Sequence, residues 1–230
     1  MKRKSKSIRE LRRPRPTKTE RDKVLIVTEG EKTEPDYFNR LIATLGLTTA
    51  KVRVSGEGGA APVSVFEAAE QILIRDDDFE QVYVVFDRDE HESYDEAIAK
   101  VHGLSQRNAF RKKTIKAITS VPCFEVWFRL HASNSCKPYT GNAGGQTAAK
   151  ALVSDLRTAE IHGEKVFSNY DKKNCEAFFR QLALHRSEAK TRSARVLSQA
   201  KARGDAEHHE NPSTRVHLVV EALEKLSKNS

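Results

Sequence analysis

The sequence predicts an α/β protein with a doubly wound, mainly parallel sheet and a helical C-terminal elaboration. Two runs, Val24-Leu25-Ile26-Val27 and Val82-Tyr83-Val84-Val85-Phe86, are apolar at every position rather than at alternate ones. That is the pattern of parallel strands covered on both faces. Amphipathic helical stripes lie between and after these runs, so the first half reads strand, helix, strand, helix, strand, helix, strand. Beyond about residue 132 the strand signal fades and helical spacing dominates. A chain of 230 residues, 38% of them hydrophobic, suffices for one substantial core with room for a small second lobe.

The elements follow in order. The first strand starts near Val24 and stops at Thr28-Glu29-Gly30. A helix comes next. Thr33 and Asp36 match a capping box with Pro35 in the first turn, and Tyr37, Phe38, Leu41, Ile42 and Leu45 form the inward stripe up to Gly46. Lys51 to Ser55 reads as a short strand, and Gly56 to Pro62 as a flexible loop. A second helix carries Val65, Ala68, Ala69 and Ile72, and Gln81 to Phe86 is the next buried strand. Ser93 caps a helix running to about His102, with Tyr94, Ile98 and Val101 inward. Thr114 to Ser120 is a fourth strand. A short helix spans Phe124 to His131, and Trp127 belongs to the core. A Gly-, Asn- and Ser-rich loop then runs from Ser133 to Gly145. The remaining helices are expected at Thr147 to Ile161, Lys173 to Lys201 and Ser213 to Leu226. The domain layout is a basic arm (1–22), an α/β core (23–132) and a mainly helical part packed on it (133–230).

The formal net charge of +8 is unevenly spread. Residues 1–23 hold eleven Lys or Arg against three acids, which leaves 29 of each sign in the other 207 residues. The body is therefore neutral, and the excess sits in an arm with too little apolar content to order itself. Such an arm attracts phosphates through counterion release, or serves only as a solvated terminus. No apolar segment follows the charged start and no stretch approaches a membrane span, so neither a signal peptide nor a membrane protein is expected. Cys123, Cys136 and Cys175 are odd in number and form no CxxC pair, which argues against a disulfide framework and a structural zinc site and fits the cytoplasm.

The chemistry-bearing residues stand at strand ends. In an open parallel sheet, ligands gather outside the carboxyl ends of the strands, so Glu29 after the first strand and Asp87 and Asp89 after a later one are placed to share one cation. Asp87 and Asp89 occupy alternate positions of an extended segment and point the same way. Singly, each acid also reads as a strand-end or helix-start carboxylate facing solvent. Together they favour a magnesium or manganese site of the kind that phosphodiester chemistry uses. Gly30, lacking a Cβ, permits a close approach of backbone or phosphate beside Glu29.

A family resemblance rests on these residues. A Glu-Gly after the first strand with an Asp-x-Asp after a later one looks like the Toprim pattern of topoisomerases, primases and overcoming-lysogenization-defect nucleases. More narrowly, the segment Val27-Thr28-Glu29-Gly30-Glu31-Lys32-Thr33-Glu34-Pro35-Asp36-Tyr37-Phe38, with Phe86-Asp87-Arg88-Asp89, Pro122-Cys123-Phe124-Glu125-Val126-Trp127 and Asn211-Pro212-Ser213-Thr214, resembles the RloB family of bacterial defence proteins. The resemblance runs from about Lys23 to the C terminus. It implies a Toprim-like fold, metal-dependent nuclease activity with Glu29, Asp87 and Asp89 as the acids, and an ABC-type ATPase partner in phage defence.

Glu125 is the candidate fourth catalytic acid, either at the end of the fourth strand or as the first-turn acid of the following helix. Lys32, Arg88 and His91 are candidates for holding the substrate phosphate, against the alternative of ordinary surface residues. Glu31 and Glu90 are expected to face solvent or to back the ligands. The 56–62 loop lacks the Gly-Lys-Ser/Thr ending of a P-loop, so ATP hydrolysis by this chain is not expected. His208-His209 reads as a hydrated turn. The helix from Lys173 is expected to turn Arg180, Arg186, Lys190, Arg192, Arg195, Lys201 and Arg203 outward, a face for nucleic acid or merely for solvent. Two rival functions remain. One is a glycosyl or nucleotidyl transferase using only the Asp-x-Asp, and the other is a non-catalytic, nucleic-acid-sensing subunit.

Overall fold

A computed structural model describes residues 23–48, 52–56, 59, 61–89, 91–135, 137–172 and 175–229. The basic arm, residues 57, 58 and 60 of the 56–62 loop, Glu90, Cys136 and the expected helix start at Lys173 lie outside the described residues. Five strands form one sheet: β1 (Lys23–Thr28), β2 (Val52–Ser55), β3 (Phe79–Asp87), β4 (Thr114–Val121) and β5 (Ser213–Thr214), in the order β2-β1-β3-β4-β5. The first three pairings are parallel and β5 joins β4 antiparallel. The register pairs Val27 with Val84 and Phe86 with Thr119, so β1, β3 and β4 end side by side.

Both faces of the sheet are covered, which is why the central strands are apolar throughout. Leu25, Val27, Val82 and Val84 point toward α2 (Pro62–Arg75) and α3 (Tyr94–Gln106). Val24, Ile26, Tyr83 and Val85 point toward the opposite layer. That layer holds α1 (Thr33–Thr44), α4 (Glu125–Ala132), α5 (Ala148–Thr158), α6 (Cys175–Leu184), α7 (Arg186–Arg203) and α8 (Val216–Lys228). The second-half helices thus share a core with the sheet. Trp127 is fully buried there, its ring edge-on to Tyr37 at 6.2 Å.

Four local expectations are corrected. Lys32, not Thr33, is the N-cap of α1, and no side chain caps it; Thr33 Oγ1 instead donates to the Lys172 carbonyl at 3.0 Å. The single helix expected from Lys173 to Lys201 is two, broken at His185 (φ −105°, ψ 15°). The helix expected from Ser213 starts at Val216, because Ser213 and Thr214 are spent on pairing with Val121 and Ser120. His208-His209 does lie at a turn, with His208 at φ 68°, but the turn is packed on the core rather than hydrated. His208 Nδ1 lies 2.9 Å from Thr119 Oγ1, and its carbonyl accepts from Tyr94 Oη at 2.6 Å.

The basic face expected on the long helix is also largely occupied. Arg186 and Lys190 both bind Glu224, at 2.9 and 2.5 Å, fastening α7 to α8. Arg192 turns inward and donates to the carbonyls of Leu130 and His131 at 2.8 and 2.6 Å, satisfying the C-terminal end of α4. Among the described residues no helix is long and apolar enough to cross a membrane.

Candidate active site

The parallel strands release four acids into one cleft of about 410 Å³. Glu29 leaves the end of β1, Asp87 ends β3, Glu34 stands in the first turn of α1, and Glu125 opens α4 just beyond β4. Asp89, Glu31, Lys32 and Lys172 complete the rim. Glu125 is therefore both things its sequence position offered, a strand-end acid and a first-turn helix acid. It is 1% exposed.

Hydrogen bonds fix the acids in place. Glu29 Oε2 accepts from the Asp87 backbone N–H at 3.0 Å, and its Oε1 lies 3.3 Å from His91 Nε2. Asp87 Oδ2 accepts from the Phe124 N–H at 3.0 Å. Glu125 Oε1 accepts from Tyr170 Oη at 2.9 Å and faces Lys172 Nζ at 3.8 Å. Two carboxylate oxygens, Asp87 Oδ1 and Glu125 Oε2, are buried with no hydrogen-bond partner. Leaving such atoms unmet is costly, and a catalytic role or a bound ion is one of the reasons proteins tolerate it.

Electrostatics reflect the crowding. Burial pushes the Asp87 carboxyl well above the usual carboxylate range, and the neighbouring Glu34, Glu125 and Glu29 push it further. Burial, then Glu125 and Glu29, raise Glu34 to about 7. Glu29 is raised by burial and drawn back by the Asp87 N–H and His91. Lys172 is raised, chiefly by Glu125.

Glu34 and Lys172 are the two residues that sequence reasoning missed. Glu34 was visible only as one acid inside the matched motif, yet it is 8% exposed and pressed against Gly30. A Cβ built on Gly30 would meet Glu34 Oε2 at 2.1 Å. The close approach that Gly30 permits is thus that of a carboxylate. Lys172 stands in a loop with no motif around it, and only the folded chain brings it to Glu125.

The remaining candidates fall at different distances from this centre. Asp89 lies two residues past the end of β3, after Arg88; it is exposed, and its N–H donates to the Pro122 carbonyl at 3.1 Å. Asp87 and Asp89 are therefore not neighbours on one strand face, although both line the cleft. Lys32 is exposed at the rim. Arg88 lines an adjoining hollow with Asp89, Val121, Pro122, Ala148 and Asn211 rather than the acidic cleft. His91 borders a larger cleft next door.

The donors are all oxygens, which suits a hard divalent cation such as Mg²⁺ or Mn²⁺ and not zinc. The two unpartnered buried oxygens fit the same group. Among the described residues, however, no three Asp, Glu, His or Cys side chains are already gathered as a ligand set. Carboxylates at this density repel one another, and drawing them onto one point requires the charge of the cation itself.

No curated protein and no solved structure gives a significant match to this chain. A family model described as RloB-like protein matches residues 24–223, which takes in all of β1 but Lys23, β2 to β5, the four acids Glu29, Glu34, Asp87 and Glu125, and most of α8. The chain belongs to the RloB-like protein family.

Proposed function

We propose that this chain is a divalent-cation-dependent endonuclease of Toprim type, hydrolysing phosphodiester bonds in DNA or RNA, tRNA included. The observation that carries the reading is the set of buried and half-buried carboxylates at the ends of three adjacent parallel strands, two of whose oxygens have no partner. The sequence resemblance adds a setting: bacterial anti-phage defence in the cytoplasm, beside an ABC-type ATPase.

Glu29, Asp87 and Asp89 would hold Mg²⁺ or Mn²⁺, with Glu34 and Glu125 as further oxygen donors. When bound, the cation supplies Lewis-acid polarisation of the scissile phosphodiester. The chain's own residues supply the rest. The Asp87 N–H fixes Glu29, whose second oxygen is left to take a proton from the attacking water, with His91 3.3 Å away to pass it on. Lys172 brings a positive charge to the rim, where negative charge grows as the P–O bond to the leaving oxygen breaks. A transferase using only the Asp-x-Asp gives Glu29 no task, whereas Glu29 is bonded directly to the Asp87 backbone.

The test is a nuclease assay over plasmid, single-stranded DNA and tRNA with Mg²⁺ or Mn²⁺, with and without the ATPase partner. Cleavage by the wild type that falls at least about a hundredfold in Asp87→Ala supports the reading. Absence of cleavage of every substrate, or equal cleavage by Asp87→Ala, rejects it.

A further inference from the structure

A second cleft, about 830 Å³, opens beside the acidic one and shares Asp89 and Lys172 with it. Its walls carry His91, Lys150, Arg157 and Lys172 against Asp89 and Asp171. The charge balance thus reverses from one cleft to the next. The acidic cleft has six carboxylates and two lysines, whereas this one has three fixed cations and a histidine against two acids.

Two of the cations share one helix face. Lys150, Ser154 and Arg157 recur at i, i+4 and i+7 on α5, which puts them on one exposed face. Seven residues at about 1.5 Å each separate the two charges by roughly 10 Å along the helix. Lys172 lines this cleft and the acidic one alike. It sits on a segment pinned at three points: Tyr170 O accepts from Arg157 Nε at 3.0 Å, Tyr170 Oη donates to Glu125, and Lys172 O accepts from Thr33. Arg157 is therefore held at the cleft by one N–H, and Tyr170 ties this wall to a buried acid of the neighbouring centre. Ser154 and Val153 give the floor a hydroxyl and an apolar surface. The volume corresponds to roughly one or two nucleotide units.

We infer that this cleft holds one strand of a polynucleotide, its phosphates on Lys150, Arg157 and Lys172, and leads it to the carboxylates. The inference rests on the nuclease reading and names the track by which that substrate arrives. An acidic centre repels a polyanion, so a cationic run ending at its rim is what keeps the strand in place until the cation is shared.

Two measurements test it on the full chain, in Ca²⁺ and with oligonucleotides of about 16 nucleotides as single-stranded DNA, single-stranded RNA and duplex DNA. In fluorescence anisotropy, Lys150→Glu with Arg157→Glu weakens single-strand binding at least about tenfold and lowers the salt slope by about 1.4, two contacts at about 0.7 each. Lys150→Glu alone, an exposed position, gives a smaller loss in the same direction and guards against disturbance of the Arg157 anchor. In lysine-acetylation footprinting, single-stranded oligonucleotide protects Lys150 and Lys172 but not Lys112, in the turn before β4. Unchanged affinity and slope, or unchanged labelling of Lys150, overturns the proposal, and so does preference for duplex. Capture by the basic arm alone would give that unchanged labelling. The nuclease reading fails separately, if Asp87→Ala cleaves as well as wild type.

Discussion

Buried charge is handled in opposite ways on the two sides of β4. Toward β5, Glu210 and Arg215 form a bidentate pair, with Oε1 and Oε2 accepting at 2.8 and 3.1 Å, and Arg215 Nη1 also reaches Thr119 Oγ1 at 3.2 Å. Glu210 is 5% and Arg215 7% exposed, so one positive charge meets one negative charge out of water. Beyond the carboxyl ends of β1, β3 and β4, four acids share a cleft whose nearest cation, Lys172, is exposed and 3.8 Å from one of them. The first arrangement is complete within the chain and holds β5 and its flanking turn in place. The second is incomplete within the chain, as a site for a cation would be.

The contrast breaks most visibly at Arg215. Arg215→Met leaves Glu210 buried without its counter-charge and is expected to cost about 3–5 kcal/mol in urea unfolding. A cost below about 1 kcal/mol would mean that the pair is not the closed unit described.

The next largest effect is in pH. Glu34 titrates near 7 in the folded chain and near 4.5 unfolded, so the folded state keeps a proton that the unfolded state gives up. Its contribution is greatest below pH 4.5 and is lost as pH rises through 7, by about 3 kcal/mol from linkage. His131, buried and pushed down to about 3, acts in the other direction: its contribution is present above pH 6.5 and is lost as pH falls toward 3. His208, lowered to about 4 by burial and Arg215, adds to that acid-side loss. Cation-free protein is therefore expected to be most stable between about pH 4.5 and 7. In thermal melts, Glu34→Gln reduces the loss above pH 4.5, leaving the part that belongs to the raised Asp87 and Glu29 carboxyls, and keeps the acid-side loss intact. A variant that melts with the wild-type pH profile would show that Glu34 is not held protonated.

The smallest of the three lies at Gly30. Gly30→Ala sets a Cβ against Glu34 Oε2 and is expected to cost about 1–3 kcal/mol as the carboxylate is displaced. Unfolding midpoints of Gly30→Ala and of Gly30→Ala with Glu34→Ala check it: the second change relieves the first. If the two penalties simply add, the glycine is required for some other reason.

The paired region and the acidic cleft were not equally legible in the sequence. Strands β1, β3 and β4 announce themselves because burial on both faces leaves unbroken apolar runs, and a strand end is where Glu29 and Asp87 are expected. β5 has two residues, too few for any periodicity, and its helix-like surroundings masked it. The break at His185 was hidden for a similar reason, since polar and basic residues continue across it. Glu210 and Arg215 gave no signal, being ordinary surface residues until β5 turns them inward. Glu34 lies four residues from Gly30, in the first turn of a helix where an acid is unremarkable. Only the close approach of α1 to the end of β1 makes it part of the centre. Lys172 comes from a loop more than 40 positions beyond Glu125, and spacing along the chain carries no information about such a contact.

The proposed function requires that a divalent cation complete the acidic cleft. Calorimetric titration of Mg²⁺ and Mn²⁺ into the wild-type chain and into Asp87→Asn at pH 7.5, above the point where Glu34 ionises, tests it most directly. The predicted result is saturable binding by the wild type that is lost in the variant, while the variant folds and, without cation, is at least as stable. Absence of binding by the wild type, or undiminished binding by Asp87→Asn, would show that the cleft is not a cation site.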